Sequence, residues 1–515
     1  MIIESVRRAA RTDGGREATI CGDVTRTWTE VEDRVARLAQ ALLTLGAKPG
    51  DRIGILAQNS DRYLEAIFAT WWIGAITVPM NNRWSVEEHI YSVDDADIRI
   101  VFHDGAFAET ASVCATRRPA LKVLIGFDGK AQSGARDYED LIVGSARALP
   151  VRLDLSAPCG IFYTGGTTGL PKGVVHTHAS ISGAALVASL DMNYPRAPRY
   201  LHAAPMFHLG DLSQAFITTL LGGTHVFVPA FNADEVVRTI AHHRVETILL
   251  VPTMIAMVLQ SPLLEGADLT SLQLIAYGGS PITEPVLRRA REVFSRTRLV
   301  QGFGQTESCA AGTLLHDEHH VPGAVEGRMR SAGRPSYGVE LQLRTSDGRA
   351  LAVGEVGEIC LRGPMVMAGY WNKPEETASA LRDGWLHTGD AGYVDEAGFL
   401  YVCDRVKDMI ISGGENVYSA EVERAVSTHP KVAQVAVIGV PDEKWGERVH
   451  AVIVPKPGVE IAYEEIYAHC KALIAGYKTP RSVELVPALP LSPVGKVLKT
   501  ELRKPYWGDK QRAVN

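Results

Sequence analysis

Apolar residues recur at helical spacing over residues 31–43 and 63–73, and each run is followed by a short β-branched segment, 52–56 after the first and 75–78 after the second. A 3.6-residue apolar period predicts amphipathic helices, and the short β-branched runs predict buried strands. The alternation returns downstream, with helical patterns at 234–243 and 284–294 and strand patterns at 247–251 and 274–277. Helices alternating with strands predict stacked α/β layers on parallel sheets. After Gly333 the texture changes to short strands broken by Gly-Glu and Asp-Gly pairs, as in Gly354-Glu355-Val356-Gly357-Glu358, which predicts a small β-rich region.

Beyond residues 404–408 a compact α/β pattern restarts. Ser419 is placed to cap a helix with Glu421 and Glu423 near its start and Val422, Ala425 and Val426 as its apolar stripe. Strands are predicted at 432–440 and 450–454, then a helix with Ile466, Cys470 and Leu473 on one face, stopped by Gly476. The predicted fold class is α/β. A large N-terminal domain (1–404) of layered α/β subdomains plus a β-rich subdomain is followed, past a boundary at 405–407, by a small α+β C-terminal domain (408–515).

Composition narrows the function classes. A chain of 515 residues exceeds one ordinary core, and 46% hydrophobic with 22% charged residues excludes a disordered chain. A net charge of −6 argues against nucleic acid as partner. The seven cysteines are far apart, with no C-x-x-C pair, which suits reduced thiols in a cytosol. The start, Met-Ile-Ile-Glu-Ser-Val-Arg-Arg, places charge where a signal peptide needs its apolar core and predicts a short helix, hence a cytoplasmic protein. The apolar stretches 66–80 and 247–259 are too short, and too interrupted by Gly or Pro, to predict a transmembrane segment.

Candidate chemistry begins at 163–173, Tyr-Thr-Gly-Gly-Thr-Thr-Gly-Leu-Pro-Lys-Gly. Thr164, Gly165, Gly166, Thr167, Thr168, Gly169 and Lys172 combine turned backbone NH groups, hydroxyls and a cation, a phosphate cradle or else a flexible surface loop. Lys172 follows Pro171 and precedes Gly173, so this is not the common P-loop. Gln301-Gly302-Phe303-Gly304-Gln305-Thr306-Glu307 follows an apolar strand, where layered α/β proteins place ligands. Thr306 suits a phosphate oxygen and Glu307 suits Mg²⁺, although a helix N-cap explains the pair equally well.

Asp390, on a glycine turn, suits ribose hydroxyls, with Asp404-Arg405 downstream; ordinary loop chemistry is the alternative. Lys496 lies on a Pro-Gly bend, either solvated or reaching into phosphoryl chemistry. The run from His316 through Asp317, Glu318 and His319 to His320 lacks metal-ligand spacing and reads as a solvated loop. His208 sits among apolar residues, as a pocket wall or a core histidine.

Taken together and in this order, these segments resemble the adenylate-forming superfamily of acyl- and aryl-CoA synthetases, peptide-synthetase adenylation domains and firefly luciferase. The resemblance spans roughly residues 5–503, and its texture is nearest bacterial fatty-acyl-CoA and feruloyl- or coumarate-CoA ligases, notably through Val406-Lys407-Asp408-Met409-Ile410-Ile411-Ser412-Gly413-Gly414-Glu415-Asn416-Val417-Tyr418. It implies a mobile C-terminal domain and two half-reactions. A carboxylate attacks the α-phosphorus of Mg·ATP to give acyl-AMP and pyrophosphate, and the thiol of coenzyme A then attacks the acyl-adenylate. Implied alternatives are an acyl-AMP ligase loading a carrier protein, or a non-catalytic nucleotide-binding paralogue.

The resemblance also implies roles. Thr164 to Lys172 would cover the β- and γ-phosphates, with Thr306 as phosphate contact and Glu307 as magnesium holder. Asp390 and Arg405 would hold ribose, and Lys496 would bridge carboxylate and α-phosphate. Tyr277, Gly278, Gly279, Gly302 and Phe303 would surround adenine and acyl group, with His208 and Asp211 lining the acyl pocket. Lys407 occupies the hinge. Ser412, Gly413, Gly414 and Glu415 would line a pantetheine tunnel, with Trp445, Tyr477 and Arg481 toward the nucleotide of CoA. Two positions depart from the family pattern: Gly165 replaces a serine and Phe303 a tyrosine. ATP, Mg²⁺ and CoA are the implied cofactors, a small carboxylic acid the substrate, and a homodimer the default assembly.

Overall fold

The computed structural model describes residues 2–128, 134–164, 171–280, 282–320, 328–405, 408–412, 415–442, 444–491 and 497–507. The chain divides into two compact units, Met1–Leu341 with Leu361–His387, and Gln342–Cys360 with Thr388–Asn515. The boundary read from sequence at 405–407 therefore lies inside the second unit, because strand Leu400–Arg405 pairs antiparallel with Trp385–Val394, matching Asp390 with Arg405.

The first unit is built on two large sheets. In the nine-stranded sheet Glu17–Cys21, Thr224–Phe227, Arg199–His202, Thr247–Leu250, Leu274–Gly278 and Arg298–Phe303 are mutually parallel neighbours. Antiparallel strands close its edges, Val24–Thr27 at one end and Thr313–Leu315 with Arg334–Pro335 at the other. In the eight-stranded sheet Pro158–Thr164, Ile76–Pro79, Arg52–Leu56, Ile98–His103 and Val123–Gly126 run parallel. Lys172–Thr177 lies antiparallel to Pro158–Thr164 and carries the two-residue strand Gly369–Tyr370 on its far side.

Each predicted helix forms. Residues 31–43 fall within Trp28–Thr44, which starts at a capping box where Thr27 accepts from the Glu30 amide and Glu30 accepts from the Thr27 amide. Helix Asp61–Trp72 is apolar on nearly every side and buried from Tyr63 onward, as a helix between layers must be. The N-terminal helix spans Ile2–Thr12, and 234–243 and 284–294 become Ala233–His243 and Glu284–Val293.

In the second unit, Val432–Asp442 and Gly446–Pro455 form a long antiparallel pair, extended by Ile410–Ser412 and Glu415–Val417 and by parallel Ser482–Leu485. Val422, Val426, Val437, Ile453, Ile466 and Cys470 make its core. Two local readings need correction. Tyr418 rather than Ser419 is the N-cap of helix Ser419–Ser427, because Ser419 is already helical and its buried hydroxyl meets Lys499. Helix Tyr463–Leu473 ends before Gly476, with Ile474 already extended. All seven cysteines are free thiols, and among the described residues no helix is long and apolar enough to cross a membrane.

Candidate active site

The phosphate-loop candidate joins two antiparallel neighbours, since Thr164 is the register partner of Lys172. Gly165, Gly166, Thr167, Thr168 and Gly169 lie outside the described residues. Its root is fixed by Tyr163, whose hydroxyl donates to Asp95 Oδ2 at 2.5 Å between the edges of Trp84 and Tyr91.

Strand Lys172–Thr177 organises the site because alternate side chains share a face. Lys172, Val174 and His176 form that alternating set. Lys172 Nζ lies 5.1 Å from the ring centroid of Tyr370, which pairs with Val174 and is thus the diagonal neighbour of Lys172. His176, fully buried, has Nε2 at 2.7 Å from the Thr306 carbonyl and Nδ1 at 3.0 Å from the Ser180 hydroxyl. A carbonyl only accepts, so Nε2 carries the proton and Nδ1 accepts from Ser180. Burial pushes this imidazole down to about 4, so it is neutral near pH 7.

Glu307 follows in a three-residue 3₁₀ turn, Thr306–Ser308, whose N-cap is Gln305. The pair is therefore not itself a cap. The Tyr370 hydroxyl donates to Glu307 Oε1 at 2.8 Å, and the Met367 amide donates to the Glu307 carbonyl at 2.9 Å. Burial and the adjoining carboxylate push the Tyr370 phenol up, keeping it a donor. Just beyond, Cys309 and Ala310 both take left-handed backbone, φ 51° and 58°, turning the chain back over Gly304, where a Cβ would stand 2.6 Å from the Ala310 carbonyl carbon. Glu307 supplies the hard oxygen donors that Mg²⁺ prefers, beside a lysine suited to phosphate.

The acyl-pocket candidates separate. Gly278 and Gly302 are register partners so close that a Cβ on Gly278 would meet the Gly302 carbonyl oxygen at 2.3 Å, and Gly279 has φ +78°. Phe303 is half-buried beside them. Tyr277 packs in the core, with its hydroxyl 2.7 Å from His320 Nε2, which fills its hydrogen bond inside the protein. His208 is the half-buried N-cap residue of helix Leu209–Leu220, its ring against Phe207 at 4.3 Å. Asp211 is a correction: it is 1% exposed, and both carboxylate oxygens are engaged in the core, Oδ1 by the Tyr200 hydroxyl at 2.8 Å and Oδ2 by His202 Nδ1 at 2.6 Å.

His202 continues to His225 Nδ1 at 3.0 Å and through it to Thr219, a buried relay that no motif announced. Its one sequence signal is polar residues recurring at alternate positions of two apolar strands, Tyr200 with His202, and His225. The His316 to His320 run is not a loose loop, because its members diverge to separate anchors. His316 meets Asp191 at 3.2 Å, Asp317 holds Arg291 and the Leu299 amide, and His320 is buried on Tyr277.

In the second unit, Asp390 is the register partner of Arg405, and the Gly389 amide donates to Glu358 at 3.0 Å. Trp445 and Arg481 are brought together, the guanidinium carbon 4.4 Å from a ring centroid that also has Lys444 at 4.8 Å. Tyr477 is 39% exposed with Lys478 over its ring, and buried Ser412 is the register partner of Glu415. Lys407, Gly413, Gly414 and Lys496 lie outside the described residues.

A family model described as AMP-binding enzyme matches residues 6–371, and one described as AMP-binding enzyme C-terminal domain matches 421–496. The chain is 39% identical over 500 residues to a feruloyl-CoA synthase of an Amycolatopsis species, covering 97% of this chain and 98% of that protein. It is 35% identical over 518 residues to a fatty acid–[acyl-carrier-protein] ligase of Streptomyces coeruleorubidus, covering 100% and 98%. Among solved structures, the o-succinylbenzoate CoA synthetase of Bacillus subtilis, in complex with its acyl-adenylate intermediate, matches with a TM-score of 0.84 and 31% identity over 97% of each chain.

Proposed function

The chain belongs to the family of AMP-binding enzymes and is an AMP-forming acid–thiol ligase using ATP, Mg²⁺ and coenzyme A, and from that premise we propose which residues carry its two half-reactions and that its acid is aromatic. One observation carries the assignment of residues. Lys172, Thr306 and Glu307, from motifs far apart in the chain, are gathered along one face of strand Lys172–Thr177.

Carboxylates acylate poorly until a better leaving group replaces oxygen. In the first half-reaction a carboxylate oxygen bonds to the α-phosphorus of ATP as the bond to pyrophosphate breaks, and positioning and charge supply most of the catalysis. Lys172 and the amides of 165–169 hold the terminal phosphates, Thr306 donates a hydrogen bond, and Asp390 with Arg405 fixes the ribose. Glu307 would hold Mg²⁺, which when bound neutralises phosphate charge. Gly279, Gly302 and Phe303 offer adenine a flat approach, and His208 faces the acid. Lys496 serves this half-reaction through its positive charge.

In the second half-reaction the thiol of CoA bonds to the acyl carbon and AMP leaves. Trp445, with cations on its ring, suits a phosphorylated adenine, while Ser412 to Glu415 guide the pantetheine arm and Lys407 is the hinge. The aromatic acid is supported by the 39% likeness to feruloyl-CoA synthase.

A pyrophosphate-release screen over hydroxycinnamates, benzoates and short, medium and long fatty acids tests the acid. Highest kcat/KM on a hydroxycinnamate supports the proposal, and preference for a long chain overturns it. Because of the carrier-protein ligase relative, thioester formation is compared with free CoA and with a phosphopantetheine carrier. Lys496→Ala is expected to cut acid-dependent pyrophosphate release by about 10²–10³ while sparing thioester formation from presynthesised acyl-adenylate. Equal loss of both would refute its role.

A further inference from the structure

Two contacts of different kinds meet on one side chain. Tyr370 receives the ammonium of Lys172 over its ring at 5.1 Å and donates its hydroxyl to Glu307 Oε1 at 2.8 Å. Its backbone is fixed independently, because Gly369–Tyr370 pairs with Val174 and Val175 and the next amide, of Trp371, donates to the Gly173 carbonyl at 2.7 Å. Glu307 is held at its own backbone by the Met367 amide, three residues before Tyr370. Strand Gly369–Tyr370 is thus a bracket between the phosphate-loop lysine and the carboxylate.

We propose that Tyr370 is a positioning residue for metal binding, setting the rotation of the Glu307 carboxylate and its separation from Lys172 before nucleotide arrives. The proposal rests on the reading of Glu307 as magnesium holder. Mg²⁺ takes few carboxylate oxygens and demands near-octahedral geometry, so a carboxylate that rotates freely loses affinity. With the phenol on Oε1, Oε2 is the oxygen that would be left to hold the cation. The ring also gives Lys172 a resting place on a π-face, so the ammonium and the carboxylate stay apart, one for phosphate and one for metal. A hydroxyl donating to a carboxylate enriches its ring in electrons, so the two contacts reinforce each other.

Tyr370→Phe removes one oxygen and keeps the ring that packs with Val174, Met367 and Leu386. The measurement is calorimetric titration of Mg²⁺ into enzyme holding an ATP analogue with a methylene bridge between its α- and β-phosphates, beside AMP binding without metal. Tyr370→Phe is expected to weaken Mg²⁺ binding about tenfold, the scale for losing a partner behind a ligand, and to leave AMP affinity within about twofold. Glu307→Gln is run in parallel. Wild-type Mg²⁺ affinity in Tyr370→Phe, with loss in Glu307→Gln, overturns the role of Tyr370 and leaves Glu307 standing. Wild-type affinity in Glu307→Gln overturns both. Equal loss of AMP and Mg²⁺ affinity in Tyr370→Phe makes the residue a packing element and also overturns the proposal.

Discussion

Trp445 shows how much one residue's surroundings add to its identity. A tryptophan on a turn is a weak signal, but an indole with Arg481 and Lys444 at 4.4 and 4.8 Å is an electropositive flat surface suited to a nucleobase carrying phosphates. Base stacking on an aromatic contributes about 1–3 kcal/mol, so Trp445→Ala is expected to raise KM for CoA by roughly 10–100-fold. Pyrophosphate release from acid and ATP should be unchanged, and a matching fall in that rate would remove Trp445 from the second half-reaction alone. The same scale sets the limits of reading residues one at a time. Glu307, Lys172 and Trp445 stood out by type and motif, whereas Tyr370 did not, because its partner lies 63 positions away and only strand pairing brings them together. Asp211 had the right chemistry at the wrong depth, since sequence gives a carboxylate's identity but not the Tyr200 and His202 that engage it.

Elements with a full period were readable, and those too short to have one were not. Helix Trp28–Thr44 displays several repeats of its pattern, and strand Leu274–Gly278 announces itself as an unbroken apolar run, buried from Leu274 through Tyr277. The strand Gly369–Tyr370, two residues long, and the 3₁₀ turn Thr306–Ser308 display none, yet they hold the candidate site together. The turn depends on a backbone detail that Gly304 discloses. Cys309 and Ala310, both left-handed, bring the Ala310 carbonyl carbon to 2.6 Å from where a Cβ of residue 304 would stand. The obstruction is backbone, which cannot swing aside. Gly304→Ala is therefore expected to push the 305–310 segment outward, costing about 1–3 kcal/mol of stability. Displacing Glu307 by about 1 Å should cut pyrophosphate release on the order of 100-fold. Thermal melts and the release assay check both, and a variant with wild-type turnover would show that the turn does not position Glu307.

Across the first unit, buried histidines tie stability to pH. His89, His176 and His320 are each no more than 1% exposed, and burial pushes all three down to about 4 from an ordinary 6.5. For each, the unfolded chain binds a proton between pH 4 and 6.5 that the folded protein refuses. Their contribution is whole above pH 6.5 and is withdrawn as pH falls toward 4, by about 1.4 kcal/mol per pH unit for each histidine. His316 runs the other way, because its bond to Asp191 raises it and favours the folded state below 6.5, and burial raises the Glu65 and Asp104 carboxyls in the same sense. From pH 7 to 5 the three buried rings together remove about 6 kcal/mol, comparable with the whole stability of an ordinary domain. Denaturant midpoints of the first unit should therefore fall steeply between pH 6.5 and 5 at constant m-value. His89→Gln removes a titrating ring that packs against Trp84, and because burial lowers His178 and His225 as well as these three, it should flatten that slope by about a fifth. An unchanged slope would mean that His89 is protonated in the folded protein across this range, and the buried imidazoles would then not be the source of acid lability.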